Sequence, residues 1–127
     1  MYEGVWWSAL IPERAKREYL SYKPSFKNFQ DFFAEAGFGP VTFVVDHTAT
    51  LQKPDEYLRE DGPLKKHWRD GDSLWSVCTE EEIKDIEARV RQMIEGKTMA
   101  AWLKERERKR LKVGQITILF AQKSSSA

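Results

Sequence analysis

Apolar residues along this chain fall into helical stripes in its middle and into β-branched runs at two separated places. In FKNFQDFFAEAGF, Phe26, Phe29, Phe33 and Ala36 recur at three- and four-residue spacing, and Ser25 stands where a helix cap belongs. Gly37 then predicts a left-handed helix end, with Pro40 just beyond. VTFVVDH, residues 41–47, reads as a strand. Val41, Phe43 and Val45 point one way and Thr42 and Val44 the other, so neither face is plainly for water.

TEEE at residues 79–82 is a capping box, and its acidic first turn suits the helix dipole. Ile83, Ile86, Val90, Met93 and Ile94 continue it as an apolar stripe that Gly96 closes. A second helix is predicted over 98–111, with Met99, Trp102 and Leu103 inward. After Gly114, QITILFAQ (115–122) reads as a strand. Near the start, Pro12 suits the opening of a short helix in PERAKREYLSY. Residues 48–78 are irregular, with turn signals at Asp61-Gly62-Pro63 and Asp70-Gly71 and isolated Trp68 and Trp75.

This divides the chain into a helix–strand unit (1–48), a mostly helical insertion (49–113), a final strand (114–123) and a frayed tail (124–127). The expected class is α/β: an antiparallel pair, 41–47 with 115–122, and three or four helices, in a single or partial domain. A strand buried on both faces needs a larger sheet than two strands provide.

Composition narrows the function classes. The 127 residues suffice for one domain with a core, and 41% hydrophobic with 13% aromatic content is globular. Twenty-one Lys and Arg against 20 Asp and Glu give a formal charge of +1, which argues against bulk nucleic-acid binding and a membrane-surface field. The run KERERKRLK, 104–112, lacks interleaved aromatics and reads as a solvated helix face with internal ion pairs. No apolar run reaches the ~18 residues of a membrane span, and MYEGVWW lacks the pattern of a signal peptide. The expectation is a cytoplasmic protein. The single cysteine, Cys78, excludes an internal disulfide.

No glycine-rich phosphate loop occurs, and His47 and His67 have no zinc-like spacing, so no metal site is expected. Cys78 precedes a helix start, where a thiolate is favoured, or is a small buried side chain beside Val77. Asp46-His47 ends the first strand, where open α/β sheets place ligands. His47 is therefore the candidate base or contact and Asp46 a candidate substrate contact, or the pair marks the strand's exit. Trp6, Trp7, Tyr19 and Tyr22 could wall a small-molecule pocket or belong to the core.

The order of helix, Ala36-Gly37-Phe38 turn, strand VTFVVDH, helical insertion and closing strand QITILFAQK resembles the C-terminal part of a class I S-adenosylmethionine-dependent methyltransferase. By that resemblance YEGVWW matches the acidic or aromatic segment in which the fifth strand ends, VTFVVDH is the sixth strand and QITILFAQK the antiparallel seventh. The insertion at 49–113 is longer than the family's usual connection. The family binds its cofactor through an N-terminal half, with a glycine-rich loop after the first strand and an acid ending the second. Neither has a counterpart in the chain.

The resemblance thus implies an acceptor-side segment acting on a small-molecule methyl acceptor, with Trp6, Trp7 and Tyr22 as walls. It binds no cofactor alone, and the rest of the sheet lies upstream or in a separate chain. A homodimer or a complex with that missing half is expected, since an unfinished sheet presents an open edge. The alternative is a non-catalytic α+β interaction domain.

Overall fold

The computed structural model describes residues 4–125, so Tyr2 and Glu3 of the YEGVWW match, and the last two residues of the tail, lie outside the described residues. A 3-10 turn, Trp6–Ala9, leads into helix α1, Glu13–Ser21, and α2 spans Phe26–Glu35. Strand β1 is Thr42–Asp46. Two short helices follow, α3 at Pro54–Tyr57 and α4 at Lys66–Arg69, with 3-10 turns at Gly62–Leu64 and Ser73–Val77. The long helices α5, Glu80–Glu95, and α6, Met99–Val113, complete the insertion before strand β2, Ile116–Phe120.

The predicted local signals form for the reasons the sequence offers. Ser25 caps α2 through a reciprocal box with Asn28, and Thr79 caps α5 through the same device with Glu82. Gly37 adopts φ 82°, the left-handed conformation that L side chains disfavour, and turns the chain from α2 into β1. After α5 the left-handed residue is Lys97, at φ 58°, while Gly96 stays right-handed at φ −76°. Pro12 stands just before α1 as its cap rather than inside its first turn.

β1 and β2 pair antiparallel from Thr42 opposite Phe120 to Asp46 opposite Ile116, which is the expected pairing. The pair extends into the tail, where Lys123 bridges to Phe38 and the Ser124 N–H donates to Gly37 O at 2.9 Å. The tail is therefore tied down at least to Ser124.

The expectation of a strand buried on both faces is corrected. Phe43 and Leu119 share the face that α2 covers, with the Phe26 and Phe43 rings 4.7 Å apart. On the other face Val44, Ile118 and Phe120 are 45%, 44% and 54% exposed. The β-branched pattern reported strand propensity correctly, but the described residues carry no second layer over that face.

The core lies elsewhere. Trp6, Trp7, Trp68, Trp75 and Trp102, all the chain's tryptophans, meet around Tyr57, Leu74, Val90, Met99 and Leu103. Their rings stack mainly edge to face, with Trp7 and Trp68 centroids 4.9 Å apart and Trp6 and Trp102 6.1 Å apart. The irregular stretch 48–78 supplies two of the five rings.

Candidate functional site

The C-terminal end of β1 meets α6 and the first described residues at one junction. The Asp46 carboxylate turns back on its own loop, accepting from the Thr48 N–H and hydroxyl at 2.8 Å and from the Ala49 N–H at 3.1 Å. Those donors, the Thr48 backbone first, hold its pKa below the usual carboxylate range. The next three carbonyls, of His47, Thr48 and Ala49, lie 3.2, 3.4 and 3.5 Å from Arg110 Nη1. The His47 side chain itself is exposed.

Arg110 is buried, and its guanidinium is neutralised by Glu107, one turn back on α6. It also lies over the Tyr57 ring, 5.7 Å from the centroid. The Tyr57 phenol is pushed up first by burial and then by the Glu107 charge, with Arg110 opposing. Tyr57 O–H and Glu107 Oε2 are nonetheless both buried without a hydrogen-bond geometry of their own. Trp6 closes the junction from below, its Nε1–H donating to Tyr57 O at 2.7 Å.

Gly4 sits against the Gly114–Gln115 backbone so closely that a Cβ on it would meet Gly114 O at 2.1 Å. Gly114, at φ 71°, is itself the left-handed residue between α6 and β2. The chain's first described residues therefore lie beside the start of β2. Beside this junction a groove of about 1030 Å³ runs between the Trp6–Ala9 turn and α6, floored by Val5 and Trp6.

The structure does not gather the sequence candidates into one pocket. Trp6 and Trp7 are 1% and 0% exposed, and the Trp7 indole donates to Asp72 Oδ2 at 2.8 Å. Trp6 reaches only the floor of the groove. Tyr19 is buried on α1, its hydroxyl 2.8 Å from Ser73 Oγ and Lys23 over its ring. Tyr22, 72% exposed, points away from that core. Asp46 and His47 share the junction with Trp6 through Arg110 and Tyr57. The residues missed from sequence are Tyr57, Glu107 and Arg110: the basic run was legible, but only the three-residue offset of Glu107 and Arg110 hinted at an internal pair.

Burial pushes the Cys78 thiol up to about 11, so it is held as a thiol rather than the thiolate that a helix start favours. No group of three or more His, Cys, Asp or Glu side chains among the described residues is arranged to hold a metal ion. No helix among the described residues is long and apolar enough to cross a membrane. Comparison of the chain with protein-family models, curated proteins and solved structures finds no match.

Proposed function

We propose that the chain is the C-terminal, acceptor-side segment of a class I S-adenosylmethionine-dependent methyltransferase, acting on a small molecule. One observation carries the reading. A helix enters β1 through the left-handed Gly37, and β1 pairs antiparallel with the last strand, while among the described residues no further strand pairs with the outer edge of β2. A strand ending at Gly4, beside the start of β2, would run along that edge antiparallel to β2 and parallel to β1. In this reading the sheet is Rossmann-like, the helical insertion covers the acceptor, and His47 is an exposed acceptor contact at the strand's ligand-bearing end.

The described residues do not fit the adenosyl cofactor. Asp46 is the acid that ends a strand, and its carboxylate is engaged by Thr48 and Ala49 rather than offered to a ribose. No glycine loop follows β1. On this reading the chain alone binds no S-adenosylmethionine. Partnership with an N-terminal half, in a cytoplasmic enzyme, belongs to the same proposal.

The decisive experiment joins the chain to whatever the reading frame encodes ahead of Met1 and titrates both forms calorimetrically with S-adenosylmethionine. Saturable binding by the extended protein and none by the 127-residue chain is expected. Micromolar binding by the chain alone overturns the reading. So does an upstream frame with no strand and glycine-rich loop about a hundred residues earlier.

A second reading, a non-catalytic interaction domain, is favoured by the uncovered face of Val44, Ile118 and Phe120. It takes over if the upstream frame stops at once.

A further inference from the structure

We draw no further inference here: the strongest candidate, the uncovered apolar face of the β1–β2 sheet presented by Val44, Ile118 and Phe120, carries nothing, because nothing among the described residues shows what covers it.

Discussion

Two regions of one chain use their aromatic residues in opposite ways. Residues 5–19 and 57–110 hold every fully buried side chain among the described residues, and five tryptophans interlock there. Residues 20–56 and 111–125 hold none, although they contain all seven phenylalanines and both strands. The phenylalanines lie on one helix, its turn and two strands, a single layer against another, and such a layer has no third surface to close over it. The tryptophans come from four separate segments that converge from several directions. Burial depends on convergence more than on hydrophobicity, and the difference implies unequal stability.

The strongest way to break this comparison is to truncate matched aromatics. Trp7→Ala removes a ring in contact with Trp6, Trp68 and Tyr57 and strands the Asp72 acceptor, and is expected to cost about 3–5 kcal/mol. Phe43→Ala, at a half-buried strand position touching mainly Phe26, should cost about 1–1.5 kcal/mol. Urea unfolding followed by circular dichroism measures both. Equal losses would mean that the sheet layer is as integral to the fold as the tryptophan core.

The contrast also explains what could be read in the sequence. Local devices were legible because they depend on neighbours within four residues: the cap at Ser25, the box at Thr79, the left-handed Gly37 and the strand propensity of residues 41–47. The stretch 48–78 looked structureless because its short helices carry no periodicity. Its Trp68 and Trp75 are nevertheless core, placed by contacts with residues some sixty positions upstream, such as Trp7. The reading of Trp6 and Trp7 as core or pocket could not be resolved without those contacts. The joint at Arg110 was hidden for the same reason, since its partners are carbonyls of residues 47–49, which any side chain could have carried.

That joint offers a gentler break. Arg110→Met keeps the stem over Tyr57 but leaves three loop carbonyls and the buried Glu107 carboxylate without their cation, at an expected cost of about 2–3 kcal/mol. The loss should be felt unequally. Native-state hydrogen exchange is expected to quicken at the β1 and β2 amides well before those of α5, because Arg110 ties the β1 exit to the core. Uniform quickening across both regions would show that the sheet does not open separately.

The smallest expected effect comes from acid, and it separates an ion pair within the core region from the turn at the strand exit. Glu82 receives Arg14 Nε–H at 2.8 Å and Nη2–H at 2.7 Å, and the Thr79 N–H at 2.9 Å, so one carboxylate both caps α5 and ties it to α1. The Arg14 bonds first, and the Thr79 amide second, lower its pKa from 4.5 to about 2. A folded-state pKa depressed below the unfolded one gives stability that is present above pH 4.5 and is lost as pH falls toward about 2. Glu82→Gln should therefore lower the thermal midpoint at pH 7, with the gap to wild type shrinking through that window and closing near pH 2. The Asp46 turn is depressed by its own loop and bridges no two helices. Asp46→Asn should accordingly change strand exchange while leaving the midpoint near that of wild type. A Glu82→Gln gap that stays constant from pH 7 to 2 would show that its carboxylate gains nothing from Arg14 on folding. The acid sensitivity of the core region would then have to arise elsewhere.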